Sequence, residues 1–132
     1  MKVFLDTNVL ASAVATRGLC ADVLRVVLTS HELLTSGQVL SELERVLLGR
    51  FGLTQALVEE FIALIRQDTV LAQPGLLPIV AIQDQDDLSI LSAAIAAGAD
   101  LFVTGDKEIL AINQVETLTI LSPRQFWEKL RA

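Results

Sequence analysis

Two aspartates stand just past short apolar runs: Asp6 follows Lys2-Val3-Phe4-Leu5, and Asp106 follows Leu101-Phe102-Val103-Thr104-Gly105. A third acid must come from Asp84, Asp86 and Asp87, which precede an apolar segment ending near Ala97. Asp84 and Asp86 suit the ordinary task of satisfying free amides at a helix start. Asp87 differs, because at helical spacing it shares a face with Ile90, Leu91 and Ala94, and a carboxylate aimed at a core is costly unless paired or bound to a cation. A fourth acid is Glu42 or Glu44; they flank the apolar stripe of one helix from opposite sides, and periodicity does not choose between them. Carboxylates gathered at one place repel one another and are stable near neutral pH only when protonated or when cations lie between their oxygens. Hard oxygen donors select Mg²⁺ or Mn²⁺. The chemistry suited to such a set is metal-assisted hydrolysis of a phosphodiester.

These acids need a scaffold that brings them together, and the periodicities describe one. Lys2 to Leu5 reads as a buried strand, and Thr7 to Ala15 as a helix with Thr7 or Asn8 placed to cap it. Ala21 to Leu28 repeats apolar residues at helical spacing, Glu32 to Thr35 is a short strand closed by Ser36-Gly37, and Gln38 to Leu48 is an amphipathic helix. Gly49 and Gly52 bracket a break, after which Thr54 caps a helix striped by Leu57, Val58, Phe61, Ile62 and Ile65. Thr69 to Ala72 is another strand, and residues 73–85, with Pro74 and Pro78, are mostly loop. Asp87 to Ala97 is helical and stops at Gly98; Leu101 to Thr104 is a second buried strand. Glu116 to Ile120 alternates as a strand, and Ser122-Pro123 opens a last helix with Phe126 and Trp127.

Short apolar strands alternating with helices predict a three-layer α/β/α domain around a central parallel sheet, a single unit over residues 1–132. In such sheets sites form beyond the carboxyl ends of the strands, where Asp6 and Asp106 fall. The composition, 52% hydrophobic and 20% charged, supports a real core and excludes a disordered chain. With one cysteine, Cys20, and one histidine, His31, neither an internal disulfide nor a finger-type zinc site can form. Asp6 and Asn8 interrupt what would be the apolar core of a secretion signal, and the uncharged run from Leu88 to Ala99 is too short for a membrane span. A soluble, cytoplasmic protein is expected.

The opening Phe4-Leu5-Asp6-Thr7-Asn8-Val9-Leu10 resembles the start of PIN-domain ribonucleases, and Leu101-Phe102-Val103-Thr104-Gly105-Asp106-Lys107 resembles their later strand ending in Thr-Gly-Asp. Asp87, ahead of a helix that leads to Gly98-Ala99-Asp100, is similar to their third acidic position, and Val39-Leu40-Ser41-Glu42-Leu43 to the segment bearing their helical Glu. The resemblance therefore selects Glu42 over Glu44. It runs from residue 1 to about residue 122 and is strongest to the VapC-like toxins of toxin–antitoxin pairs. It implies an Mg²⁺ or Mn²⁺ site of one or two ions held by Asp6, Glu42, Asp87 and Asp106, with Asn8 and Thr104 in support through hydrogen bonds. Glu108 is a further acid that some members carry there. The resemblance also implies cleavage of single-stranded RNA, a homodimer, and a cognate antitoxin that covers the site.

Other classes fit poorly. A phosphoacceptor receiver domain needs paired acids after its first strand and an Asp after a middle strand, whereas Leu5 precedes a single Asp6 and Glu32–Thr35 ends in Ser36-Gly37. No Gly-x-Gly-x-x-Gly turn or Gly-Lys-Ser/Thr loop is present, which argues against dinucleotide-binding and P-loop proteins. A PIN-like binding module without activity, or a housekeeping RNA-processing nuclease, remains as an alternative to a toxin. The net charge of −6 at first opposes a nucleic-acid enzyme. Removing the four candidate ligands from the 16 acids leaves 12 against 10 basic residues, a remainder of −2. Lys107, Arg17, Arg45, Arg50 and Arg124 are candidate phosphate contacts, Arg45 pointing away from the apolar stripe toward solvent. A mean hydropathy of +0.56 is high for a monomer and predicts apolar surface covered by a partner.

Overall fold

A computed structural model describes residues 1–67 and 69–131. The chain runs β1 (Lys2–Leu5), α1 (Thr7–Ala15), α2 (Leu19–Ser30), β2 (Glu32–Ser36), α3 (Gly37–Gly49), α4 (Gln55–Gln67), β3 (Thr69–Ala72), α5 (Gln85–Ala96), β4 (Leu101–Val103), α6 (Lys107–Leu110), β5 (Gln114–Val115), β6 (Leu118–Leu121) and α7 (Pro123–Arg131). The strands form one sheet in the order β3-β2-β1-β4-β6-β5. All neighbours pair in parallel except β5, which runs antiparallel to β6.

The order explains the layers. From β1 the chain winds outward through β2 to β3, then returns through α5 to β4 on the other side of β1 and continues to β6. Parallel crossovers are right-handed, so reversing direction moves the connecting helices to the opposite face. The connections α1–α4 therefore cover one face and α5 and α6 the other; α7 joins the first group by packing on α2. The direction reverses between β1 and β4, and the gap beyond their carboxyl ends is where a doubly wound sheet opens a crevice.

The core is continuous through the sheet. Val3, Phe4 and Leu5 of β1 and Phe102 and Val103 of β4 are fully buried, and Phe4 stacks on Phe102 with ring centroids 5.3 Å apart. That stack pins the register Phe4↔Phe102 and so aligns the two strand ends.

Several boundaries differ from the sequence reading. The second helix begins at Leu19 rather than Ala21, and the third at Gly37, where the Ser36 hydroxyl caps it by accepting from the Val39 amide. The helix expected from Asp87 begins at Gln85, capped by Asp84. The sheet is not wholly parallel. The strand expected over Glu116–Ile120 lies at Leu118–Leu121, and Glu116 instead sits in a tight turn at φ 53°, with Val115 paired to Leu118. This hairpin lacks the Asn-Gly or Asp-Gly turn that marks one in sequence.

Candidate active site

The carboxyl ends of β1 and β4, with the facing ends of α3 and α5, surround a cleft of about 430 Å³. Asp6, Glu42, Asp87 and Asp106 all line it. They come from four segments that lie far apart in the chain. The cleft walls continue along α3 through Arg45, Val46 and Arg50, and along α1 through Thr7 and Asn8.

Asp6 is the deepest of the acids, 8% exposed. As the N-cap of α1 it accepts from the Thr7 amide at 2.8 Å, so Asp6 itself fills the capping role expected of Thr7 or Asn8. Its other oxygen accepts from the Thr104 hydroxyl at 2.7 Å. Burial raises its pKa, the two hydrogen bonds oppose that rise, and the charge of Asp106 adds to it. Thr104 is fully buried at the end of β4, and its oxygen also accepts from the Asp106 amide at 3.1 Å. Asp106 in turn caps α6, accepting from the amides of Glu108 and Ile109.

Glu42 is half-buried and accepts from the Thr7 hydroxyl at 3.1 Å. Burial raises its pKa; the Thr7 hydrogen bond and the charge of Arg45 pull the other way, while Asp6 and Asp86 push it further up. Asp87 is pushed up to about 6, first by burial and then by the charges of Asp84, Asp6, Asp106 and Glu42. The Gln38 side chain donates to the Asp86 carbonyl at 3.2 Å and ties the start of α3 to that of α5, the helices that carry Glu42 and Asp87.

Other expected residues fall elsewhere. Asp86 is exposed and off the cleft lining, Glu44 is half-buried away from it, and Glu108 is exposed outside it. Asn8 lines the cleft but is exposed and makes no side-chain hydrogen bond to the acids; Thr7, one residue earlier, holds Glu42 instead. In the sequence Thr7 stands out only as a possible cap and as the middle of the Asp6-Thr7-Asn8 motif, not as a partner of Glu42. Of the five candidate phosphate contacts only Arg45 and Arg50 line the cleft; Arg45 is exposed as expected, yet at the cleft wall.

The acids form an all-oxygen set in which burial first, and the charges of neighbouring acids second, raise the pKa of Asp6, Glu42 and Asp87, the electrostatic pattern of a place that favours cations. Among the described residues no three Asp, Glu, His or Cys side chains already stand in ligating geometry. No helix among those residues is long and apolar enough to cross a membrane.

A doubly wound α/β domain with acids converging at its switch point is the class that fold and cleft define. The chain belongs to the PIN domain family, whose model matches residues 2–108. Two of the solved structures that share its fold are of VapBC pairs. One is VapBC2 from Rickettsia felis bound to a DNA fragment from their promoter, with a TM-score of 0.64, 19% identity, and coverage of 92% of this chain and 98% of the other. The second is VapBC-1 from nontypeable Haemophilus influenzae, with a TM-score of 0.65, 20% identity, and coverage of 94% and 99%. A comparison with curated protein sequences returns no match.

Proposed function

We propose that this PIN-domain chain is an endoribonuclease that hydrolyses single-stranded RNA with Mg²⁺ or Mn²⁺ and acts as the toxin of a toxin–antitoxin pair. The observation that carries the reading is the meeting of Asp6, Glu42, Asp87 and Asp106 in one cleft, with burial and mutual repulsion raising the pKa of Asp6, Glu42 and Asp87. The all-oxygen donor set fits a hard divalent ion, and these four carboxylates would hold it. When bound, the ion supplies charge stabilisation at the phosphoryl group and acidifies a water. Thr104 fixes the orientation of Asp6 and the backbone of Asp106, and Thr7 holds Glu42. The cleft opens to solvent, which suits a flexible single strand threaded past the acids.

The VapBC structures that share this fold support an antitoxin as partner. So does an apolar groove of about 290 Å³ between α1, α3 and α4, lined by Leu53, Phe61 and the exposed Leu57 and Leu64. The loop after β3 adds Leu76, 95% exposed, and Ile79, wholly exposed, as surface for a second copy of the chain. A cytoplasmic location follows from this role.

Purified protein incubated with single-stranded RNA is expected to cleave it with Mg²⁺ or Mn²⁺, to stop with chelator, and to lose activity in Asp6→Asn. Undiminished cleavage in that variant or under chelation rejects the mechanism. A short reading frame immediately upstream encoding a DNA-binding protein is expected; its absence favours a housekeeping nuclease. Light scattering that shows only monomer at high concentration counts against the homodimer.

A further inference from the structure

Arg45 and Arg50 enter the acidic cleft from one helix, and neither is spent on the acids. Among the described residues the sole ion pair is Arg25–Asp22, on α2 and away from the cleft. Arginines beside four carboxylates ordinarily form forked pairs with them. Among the described residues both guanidinium groups are left with their donors uncommitted, although Arg45 is near enough to Glu42 for its charge to lower that residue's pKa.

Helix geometry sets where these donors lie. With a rise of about 1.5 Å per residue, Arg45 stands about 4.5 Å and Arg50 about 12 Å beyond Glu42 along α3. At about 100° per residue they flank the Glu42 meridian, roughly 60° to one side and 80° to the other. Arg50, the C-cap of α3, keeps helical backbone angles and so continues this geometry. Its guanidinium lies over the Phe51 ring, 5.5 Å from the centroid, which steadies a side chain that would otherwise sample many rotamers.

We propose that Arg45 and Arg50 form a phosphate-binding rail that holds the RNA backbone on one side of the scissile bond and directs the strand along α3. The ligand is a run of successive phosphodiesters. The inference rests on the nuclease reading for its substrate, and it adds polarity to the cleft: acids at the sheet end, cations along the helix. It also assigns the favourable charge that a chain with a net charge of −6 otherwise lacks.

The test uses the full chain with fluorescent single-stranded RNA of two and of eight nucleotides. Binding is followed by anisotropy in Ca²⁺ across a salt series, and cleavage in Mn²⁺. Each phosphate contact contributes about 0.7 to the slope of log affinity against log salt for a single strand. Arg45→Ala and Arg50→Ala are each expected to lower that slope by about 0.7, and the double variant by about 1.4. KM for the octamer is expected to rise about 5- to 20-fold with kcat within about twofold, the pattern of lost uniform binding. The double variant is expected to lose the wild-type preference for the octamer over the dinucleotide. Arg50→Lys retains the slope, and Arg66→Ala, exposed and outside the cleft, changes neither quantity. If an alanine variant melts early, Arg45→Gln and Arg50→Gln replace it.

Wild-type cleavage with slope and KM unchanged in both arginine variants overturns the rail and leaves the nuclease standing. Arginine-dependent binding without any cleavage overturns the nuclease reading and leaves the rail. Absence of RNA binding by the wild type overturns both. Loss of antitoxin binding in the variants, with RNA slopes unchanged, also overturns the rail.

Discussion

A single hydroxyl couples the two strand-end acids: Thr104 donates to Asp6 at 2.7 Å and accepts from the amide of Asp106 at 3.1 Å. Valine there keeps the volume and removes both bonds. Because Asp6 is buried, leaving its oxygen without a donor costs about 1–3 kcal/mol. Thr104→Val is expected to lower Tm by several degrees in thermal melts and to reduce cleavage at saturating metal, with Thr104→Ser recovering most of both. Asp87 makes the pH prediction. Its carboxyl is held at about 6 in the folded chain against an ordinary value of 3.8, so the folded state favours its protonated form. That contribution is fully present below about pH 4 and is lost as pH rises through 6. Asp87→Asn removes the penalty above pH 6. In melts with chelator, the variant is expected to be more stable than wild type at pH 7.5 by about 1 kcal/mol after solvent screening, and equal to it near pH 4. At this scale the sequence discriminated well wherever burial decided. Asp87 points inward where Asp86 does not, because helical phase alone separates them. Thr7 rather than Asn8 bonds Glu42, because one residue of phase on a first helical turn depends on the cap, and Asp6 took the cap itself.

At the level of elements, the strands that carry the acids were legible because they are short, apolar and buried on both faces, while the β5–β6 hairpin was not. Its turn holds Glu116 at φ 53° and follows Asn113 at φ 67°, conformations that glycine adopts freely and glutamate does not. With no glycine there, the alternation of Glu116 to Ile120 outweighed the turn in the sequence reading. Glu116→Gly is expected to raise stability by a few tenths to about 1 kcal/mol in denaturant titrations, since it relieves a left-handed residue in an exposed turn. An unchanged or lower midpoint would show that the turn is not strained. The cleft should be indifferent to this change, because the hairpin lies at the sheet edge beyond β6. Capping residues reveal the converse lesson: Ser36, Asp84 and Asp106 each satisfy amides at a helix start, so one chemical signature served both bland and candidate catalytic positions.

For the molecule as a whole, the proposed metal role predicts a stability that depends on cations. Three of the cleft's carboxyls are raised in pKa by burial, with the charges of neighbouring acids adding to the rise, so a divalent ion bound among them would stabilise the folded state and would have little to hold it in the unfolded one. At a hundredfold excess over its dissociation constant, one ion contributes about 2.7 kcal/mol. Mn²⁺ is expected to raise Tm by several degrees in wild type and by little or nothing in Asp6→Asn; equal shifts in the two would place the ion elsewhere. The reversal of winding direction between β1 and β4 has a further consequence for synthesis on the ribosome. Asp6 is made nearly a hundred residues before the Val103 carbonyl that its amide reaches and the Thr104 hydroxyl that bonds its carboxylate. A nascent chain therefore carries its first acid with no cleft around it until β4 has emerged and inserted beside β1. The proposed nuclease activity is therefore expected to stay latent until β4 has been made, and a chain stopped before β4 is expected to lack the cleft.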